Sequence, residues 1–444
     1  MKVTIGHVWG WAMSDDVLDV IVVGAGPGGL LLTRRLAQAG VRFVTLERHQ
    51  DVGGIWDIDA PGSPMYESAH FISSRTCSGF PDFPMPEDYP DYPGHRLLLR
   101  YIRSYADHHD LRQHIQFNAE VSSASCDDNG VWTLQLSDGR RLAARYLICA
   151  NGVTWEPNLV NWPGQFNGEI RHAVSYRSAQ EFRGKRVLVI GCGNSGVDIA
   201  CDAAFASDQA FLSTRRGYHF VPKHLMGIPA DVIATKGPKL PFRLQQWVFG
   251  LLLRLLNGKP EKYGLPEPDH RVFESHPLVN TQILHYITHG DCIAKPAVER
   301  FDGDEVVFSD GSRERIDLVI TATGYQHASP FLPGDAWADK NGRPDLYLRM
   351  FSKRYDNLAV LGFLEFASAA YTNFDHMAEL IVADAVAGRD APLARTLSEK
   401  KRSHQPDLTG GHRYIATPRH ANYVDVDAYL KVLGQVKREI GAAA

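Results

Sequence analysis

Glycines occur in this chain at a spacing that can hold a phosphate group. Residues 24–29 read GAGPGG and follow an apolar run, Val20–Val23, that predicts a buried strand. In a GxGxxG turn the first glycine (Gly24) permits a tight bend, the second (Gly26) lets the backbone approach a pyrophosphate, and the third (Gly29) lets a helix pack closely on a strand. Free N–H groups at the start of that helix would face the phosphates, so the pattern predicts a dinucleotide-binding turn.

A second turn of the same kind lies in the middle of the chain. The strand-forming run Arg186–Ile190 leads into GCGNSG at 191–196, and a helix-forming stretch at 197–204 follows it. The recurrence of strand, glycine turn and helix predicts a second dinucleotide site. Two such sites on one chain indicate hydride transfer between two cofactors.

The residue that ends the second strand of each unit distinguishes the two sites. Glu47 comes 18 residues after Gly29, near the ~20 expected for an acid that binds a ribose hydroxyl. Arg215 comes 19 residues after Gly196, and Arg216 follows it. A carboxylate repels a 2′-phosphate, whereas arginine can donate two parallel hydrogen bonds to it. We therefore predict FAD at the first site and NADPH at the second; the alternative for the two arginines is a solvated basic turn.

The turns need strands and helices in a fixed order, and that order predicts the fold class. Helix Leu30–Ala39 and strand Val41–Leu46 complete the first unit, and strand Gln209–Ser213 completes the second. The class is α/β, with two Rossmann-like dinucleotide-binding domains and a discontinuous FAD domain. The predicted boundaries are 16–165 and 318–444 for the FAD domain, 184–312 for the NADPH domain with an irregular helical insertion around 218–296, and 1–13 for an unstructured leader.

The composition excludes several other functions. Lys and Arg number 47 against 51 Asp and Glu, so the net charge of −4 gives no basic field for nucleic acid. The six cysteines include no CxxC pair, which argues against a disulfide framework, a zinc site and a dithiol redox centre. We predict no metal site and a cytoplasmic location.

The apolar segments of the chain are too short to span a membrane. None approaches the ~18 residues that a span requires, and Arg254 interrupts the run Val248–Leu253. The surrounding helix, predicted at 244–256, has three possible places: a core element, a wall of a substrate tunnel, or a patch in weak contact with a membrane surface.

The segment between the two turns carries a fingerprint. Phe166, Gly168, His172 and Tyr176-Arg177 give FxGxxxHxxxY(K/R), and GGIW at 53–56 follows the first turn. With these motifs the chain resembles the flavin-containing monooxygenases, which are class B flavoprotein monooxygenases, in their bacterial form. The resemblance covers nearly the whole chain and includes ATGY at 322–325.

The resemblance implies a reaction. NADPH would reduce FAD, O2 would add at flavin C4a to give a hydroperoxide, and a soft nucleophile of a small molecule would take the distal oxygen. Such a step needs a dry, shaped pocket more than a protein acid or base. The resemblance also suggests a homodimer as one possible assembly.

The resemblance also assigns site residues. Ile72 and Ser73 are catalytic candidates, because many relatives carry a flavin-facing Asn at position 72. Isoleucine cannot donate a hydrogen bond. Ser73, Ser74 or Arg75 could compensate, NADP⁺ alone could hold the intermediate, or the enzyme could act partly as an NADPH oxidase. The residues predicted to contact the cofactors are Gly24, Gly26, Pro27, Gly28, Gly29, Glu47, Gly54, Ile55, Trp56, Val121, Gly191, Gly193, Asn194, Ser195, Gly196, Arg215, Arg216, Ala322, Thr323 and Gly324.

Tyr176 is the third catalytic candidate and bears on the substrate. The related type I Baeyer–Villiger enzymes usually carry Trp at this position, so Tyr176 favours oxygenation of amine nitrogen or sulfide sulfur. The open alternatives are Baeyer–Villiger or carbon oxygenation of a ketone or an indole, and a flavin-binding sensor without catalysis. A sensor needs no hydride donor, so the basic pair at 215–216 argues against it.

Overall fold

The computed structural model of the chain describes residues 17–237, 241–340, 342–366, 368, 370–387, 391–417 and 419–441. The predicted leader at 1–13 lies outside these residues. Within them the chain forms two sheets rich in parallel strands, with helices packed against both, which confirms the predicted α/β class.

The strand Leu18–Val23 lies in the middle of the first sheet. It pairs in parallel with Phe43–Leu46 on one side and with Arg141–Cys149 on the other. Alternate side chains point to opposite faces of a strand. Val20 therefore packs with the leucines of the first helix, whereas Ile21 packs with Trp132 on the other face. Burial on both faces explains why this strand is apolar throughout. The strands of the sheet are Leu346–Tyr347, Phe351–Ser352, Leu358–Val360, Arg141–Cys149, Leu18–Val23, Phe43–Leu46 and Ile115–Gln116 in spatial order. Trp132–Leu136 also pairs with Arg141–Cys149, and Val121–Cys126 pairs with Trp132–Leu136.

The second sheet is parallel throughout and corrects one predicted boundary. Its strands in spatial order are Cys292–Lys295, Gln209–Ser213, Arg186–Ile190, Leu318–Thr321 and Glu169–His172. The predicted return to the FAD domain at 318 is wrong for strand Leu318–Thr321, and the predicted NADPH limits of 184 and 312 leave out two of these strands. The run LVIT is fully or almost fully buried; such a run predicts a central strand but does not say in which sheet it lies.

The chain crosses between the two sheets twice at one place. After strand Arg141–Cys149, the short strand Glu156–Pro157 pairs antiparallel with Tyr325–Gln326. Both crossings therefore lie side by side. A small antiparallel sheet extends the second domain, with strands Arg313–Arg315, Glu305–Phe308, Val298–Gly303 and Gly164–Phe166. The remaining strand pairs are His224–Leu225 with Ile228–Pro229, and Glu365–Phe366 with Tyr423–Val424.

The helices begin and end close to the predicted positions. The first starts at Pro27, three residues before the predicted start, because proline fits the first turn of a helix. The α-helices are Pro27–Ala39, Arg75–Ser78, His95–His108, Asn194–Ala206, Ala230–Lys236, Phe242–Asn257, Gln282–His289, Ala370–Val386, Pro392–Ser403 and Val426–Glu439. The 3₁₀ helices are Gly54–Trp56, Leu111–His114, Ala173–Ser175, Ala179–Phe182, Pro260–Tyr263, Gly334–Ala336 and Arg419–Asn422.

The insertion at 218–296 contains the helix Phe242–Asn257, which is not a core element. Trp247 is 65% exposed and Leu255 is 74% exposed. Gln246 and Leu253 are buried on one side of this helix, whereas the side with Trp247 and Leu255 is open, so the helix is a surface element with one packed face and the core reading is wrong for the other face. Among the described residues, no helix combines the length and the apolarity that crossing a bilayer requires.

Candidate active site

The first glycine turn has room for backbone only. Gly24 has φ +105°, and a Cβ there would lie 2.5 Å from the carbonyl oxygen of Ala150. A Cβ on Gly29 would lie 1.9 Å from the carbonyl oxygen of Gly24. Gly28 faces Leu361, whose side chain would be 3.2 Å from its Cβ. The turn is therefore a cradle that side chains would fill, as a pyrophosphate site requires.

The helix that follows presents open N–H groups to this cradle. Its N-cap is Gly26, Pro27 lies in its first turn, and no side chain caps it. The first turn of the helix also contains no acidic residue. An anion placed here would accept free N–H groups at the positive end of the helix dipole, so the turn fits the pyrophosphate of FAD.

Glu47 lies directly beside the first turn. Its carboxylate accepts the backbone N–H of Ala25 at 2.7 Å and that of His49 at 3.0 Å. A carboxylate has about four acceptor positions, so two remain for ribose hydroxyls. Val121 begins a partly exposed strand, and the backbone N–H of Ala119, two residues before it, donates to the carbonyl of Glu47. Contacts of Glu47 and Val121 with FAD stay predictions.

The second glycine turn repeats the geometry of the first. Gly191 has φ +115°, and a Cβ there would lie 2.4 Å from the carbonyl oxygen of Ala322. A Cβ on Gly196 would lie 2.0 Å from the carbonyl oxygen of Gly191, while Gly193 faces open space. Ser195 is exposed in the first turn of the helix. The second turn thus has the same open cradle for a pyrophosphate, here beside the crossing at Ala322.

Thr323 and Gly324 form hydrogen bonds with other residues of the protein. The Thr323 hydroxyl donates to the carbonyl of Asn158 at 2.7 Å. His172 Nδ1 accepts from the N–H of Val174, so the proton is on Nε2, which donates to the carbonyl of Gly324 at 3.1 Å. Burial lowers the pKa of His172, consistent with this neutral tautomer. The fingerprint histidine therefore ties strand Glu169–His172 to the crossing.

Asn194 has a structural task in the second turn. Its amide donates to the carbonyl of Pro277 at 3.2 Å and accepts from the N–H of Val279 at 2.9 Å. The side chain thus holds a loop of the insertion against the turn. A cofactor contact by Asn194 stays a prediction.

The two arginines predicted to bind the 2′-phosphate differ in their surroundings. Arg216 donates to Asp269 at 2.6 Å, and hydrogen bonds from Arg216 and His270 lower the pKa of Asp269 to about 2. Arg215 is exposed just after the strand Gln209–Ser213. Within the described ranges no carboxylate pairs with Arg215, so its charge remains available to a phosphate.

An apolar wall leads away from the first turn. A Cβ on Gly54 would lie 3.0 Å from the Cα of Gly26, so the turn Gly54–Trp56 abuts the first cradle. Ile55 is partly buried in this turn and packs on the core. Trp56 is buried and meets Phe71 edge-on at 5.2 Å between ring centroids. Ile72 comes next in the chain, so the structure brings GGIW and the position-72 segment together.

The segment around Ile72 is held by the insertion. Ser74 donates its backbone N–H to Asp231 at 2.6 Å, and His224 pairs with Asp91 at 3.0 Å. The Ser73 hydroxyl accepts from Ser78 at 2.7 Å. Insertion and FAD domain therefore meet over the segment that was predicted to face the flavin.

Tyr176 is not exposed to substrate, which corrects its assignment as catalytic. Its side chain is fully buried and stacks on Phe182, and its hydroxyl donates to Asp202 at 2.8 Å. Ser68, from the FAD domain, donates to the same carboxylate oxygen. The spacing of the fingerprint could not reveal a hydroxyl partner 26 residues away, and the contacts of Tyr176 are those of a positioning residue.

The structure reveals two acids that sequence reasoning missed. Asp198 accepts from Tyr66 at 3.1 Å and from Asn280 at 2.7 Å, one helical turn before Asp202. Burial raises the pKa of both carboxyl groups. The available signal was the pair of acids four residues apart in an otherwise apolar helix, VDIACDAA. Through Tyr66 and Ser68 these acids join the FAD domain to the helix of the second turn.

Replacing Tyr176 by phenylalanine should destabilise the protein. The buried Asp202 would lose one of its two hydroxyl donors, which costs roughly 1–3 kcal/mol in the free energy of unfolding. Urea unfolding monitored by flavin fluorescence measures this. Tyr286→Phe is the control, because that partly exposed hydroxyl has only a 3.4 Å contact with Gln282. Equal stability of Tyr176→Phe and the control would show that the bond to Asp202 contributes nothing.

Comparison with known proteins agrees with the site geometry. The family profile described as FMO-like, flavin-binding monooxygenase-like, matches residues 18–434. A probable indole-3-pyruvate monooxygenase of Arabidopsis thaliana, YUCCA9, is 33% identical over 339 residues, which are 73% of this chain and 79% of the relative. Dimethylaniline monooxygenase [N-oxide-forming] 2 of Pan troglodytes is 30% identical over 95% of this chain and 82% of its own.

A solved structure shows the same fold. The OTEMO complex with FAD and NADP (form 4) superposes with a TM-score of 0.71 at 18% identity, over 96% of this chain and 98% of the other. At that identity the likeness concerns the fold alone, whereas the profile and the two relatives establish the family. The chain belongs to the flavin-binding monooxygenase-like family and is an NADPH-dependent, FAD-containing monooxygenase.

Proposed function

We propose that the enzyme transfers one atom of O2 to an amine nitrogen or a sulfide sulfur of a small molecule. When bound, NADPH would supply the hydride that reduces FAD, and the reduced flavin would supply the chemistry that activates O2. The apolar wall of Trp56 and Phe71, which Ile72 follows in the chain, carries the proposal. Oxygen transfer to a soft nucleophile needs water excluded from the site rather than a protein acid or base, and this wall provides that.

The remaining roles follow from the geometry of the turns. We propose that the first cradle and Glu47 hold FAD, and that the second cradle and Arg215 hold NADPH. The contacts of Asp198 and Asp202 would hold the FAD domain and the helix of the second turn in a fixed arrangement. All six cysteines are free thiols, which supports our placement of the enzyme in the reducing cytoplasm.

The names of the relatives do not decide the substrate. The Pan troglodytes relative, whose name specifies N-oxide formation, spans 95% of this chain. The Arabidopsis relative, whose name specifies indole-3-pyruvate, keeps carbon oxygenation as the alternative. Tyr176 instead of Trp supports the first choice through the family resemblance.

Partial NADPH oxidase activity is a second candidate, and Ile72 favours it. Its side chain has no hydrogen-bonding group, whereas the hydroxyl of the next residue, Ser73, accepts from Ser78 and keeps its own hydrogen to donate. If Ser73 does not replace the donor that Ile72 lacks, part of the electrons from NADPH would leave as H2O2.

Product analysis with three probes tests the proposal. Thioanisole, N,N-dimethylaniline and cyclohexanone are each incubated with enzyme and NADPH, and products and H2O2 are measured. We expect sulfoxide or N-oxide to exceed lactone by about tenfold, since discrimination depends on differential transition-state binding. Lactone as the main product would overturn the choice of nitrogen or sulfur. H2O2 equal to all NADPH consumed would establish the oxidase reading.

A further inference from the structure

The helix Phe242–Asn257 packs on the protein along one face that holds both polar and apolar residues. Gln246 is buried and donates to the carbonyl of Val272 at 3.0 Å, and Asn257 donates to the carbonyl of Phe220 at 2.7 Å. A surface helix of a globular protein normally turns its apolar stripe to the core. This helix keeps such an inward stripe, with Leu253 buried, and carries a second row of apolar side chains outside it.

Its outward face is apolar and continuous. Leu244, Trp247, Leu251 and Leu255 are between 45% and 74% exposed. Trp247, Leu251 and Leu255 follow at intervals of four residues, which places them in one row along the helix. We call these four side chains the outer face. An exposed apolar patch of this kind marks an interaction site.

The apolar surface continues into the protein. Trp247 and Leu251 also line a cavity of about 600 Å³ between the helix and the loop at 258–272. A cavity of this volume can accept the chain of an apolar molecule.

The charge around the outer face identifies its occupant. From position 236 to 262 the sequence has six Lys or Arg and one Glu, although the whole chain has a net charge of −4. Arg243 is exposed one turn before Trp247, and Arg254, which pairs with Glu267, lies on the same side. Basic residues beside an exposed apolar row with a tryptophan are the features of a helix that lies in the interface of an anionic membrane. A symmetric contact with a second copy would instead bring two basic neighbourhoods together.

We propose that the outer face binds the surface of a membrane that contains anionic lipids. Trp247, Leu251 and Leu255 enter the headgroup region, and Arg243, Lys259 and Lys262 face the lipid phosphates. The contact is peripheral, and it does not depend on which substrate the enzyme oxygenates.

Vesicle flotation of the full-length FAD-loaded protein tests the proposal. Vesicles of phosphatidylcholine with about 30% phosphatidylserine are compared with pure phosphatidylcholine at low salt, where charge attraction is strong. We expect at least about tenfold more protein on the anionic vesicles, and loss of most binding in Trp247→Ser/Leu251→Ser. Arg243→Gln/Lys259→Gln should reduce binding and its dependence on salt.

Phe205→Ser is the matched control, because Phe205 is 78% exposed on the helix Asn194–Ala206 and lies outside the outer face. This variant should float like the unchanged protein, and all variants should retain FAD. The proposal fails if anionic vesicles bind no more protein than neutral ones, or if Phe205→Ser loses binding equally. It also fails if light scattering shows a dimer that Trp247→Ser/Leu251→Ser dissociates, because a second copy would then cover the face.

Discussion

Gly29→Ala is expected to give a protein without bound FAD, whereas Gly196→Ala is expected to remain yellow and to lose reduction by NADPH. Each new Cβ would lie about 2 Å from a backbone carbonyl oxygen, 1.9 Å at Gly29 and 2.0 Å at Gly196. Because the obstacle is backbone, the turn itself must move, and the N–H groups no longer converge on the pyrophosphate. Flavin absorbance of the purified variants and anaerobic reduction by NADPH measure the two effects, each expected to exceed about tenfold.

The pair of variants separates cofactor loss from unfolding. Both substitutions are alike in size and strain, so general destabilisation would affect them equally. Gly434→Ala controls for the substitution itself, because Gly434 lies inside the helix Val426–Glu439 with only the end of the Arg438 side chain nearby. If Gly196→Ala lost FAD while Gly29→Ala kept it, the assignment of the two turns would be reversed.

Arg215→Ala is expected to abolish most of the preference for NADPH over NADH. A hydrogen bond to a charged group contributes about 1.5–3 kcal/mol, so kcat/KM for NADPH should fall roughly 10–100-fold. The kcat/KM of the variant for NADH should stay within about twofold of that of the unchanged enzyme, because NADH has no 2′-phosphate. Steady-state oxidation of both nucleotides measures the ratio.

Arg216→Ala is the natural comparison for this effect. Arg216 already pairs with Asp269. Removal of the Arg216 side chain should therefore change the ratio of NADPH to NADH use less than removal of the Arg215 side chain. If the unchanged enzyme used NADH as well as NADPH, the 2′-phosphate assignment would be wrong. Equal effects of the two substitutions would show that the pair with Asp269 opens when NADPH binds.

The nucleotide units could be predicted almost residue by residue. Strands Arg186–Ile190 and Gln209–Ser213 have the predicted ends. For Arg186–Ile190 this is because an apolar, β-branched run before a glycine turn leaves few alternatives. Both cradles also follow from local spacing, since the strand, the turn and the helix are neighbours in sequence.

The features that the sequence did not predict depend on contacts between distant parts of the chain. The run Leu318–Thr321 predicts a buried strand, but only its pairing with Arg186–Ile190 places it in the second sheet. The partner of Tyr176 is a carboxylate on another element, so a fingerprint read by spacing could suggest catalysis where the structure shows positioning. The apolar helix Phe242–Asn257 was found, but periodicity does not tell which face meets the core.

Isotope labelling tests the central claim most directly, namely that electrons from NADPH place one atom of O2 on a soft nucleophile. The FAD-loaded enzyme is mixed with NADPH, thioanisole and ¹⁸O2 in ordinary water, and the products are analysed by mass spectrometry. The account predicts sulfoxide carrying one ¹⁸O atom, formed in proportion to the NADPH consumed after subtraction of H2O2. NADPH consumption that yields labelled H2O2 and no labelled sulfoxide or N-oxide from any probe would contradict it.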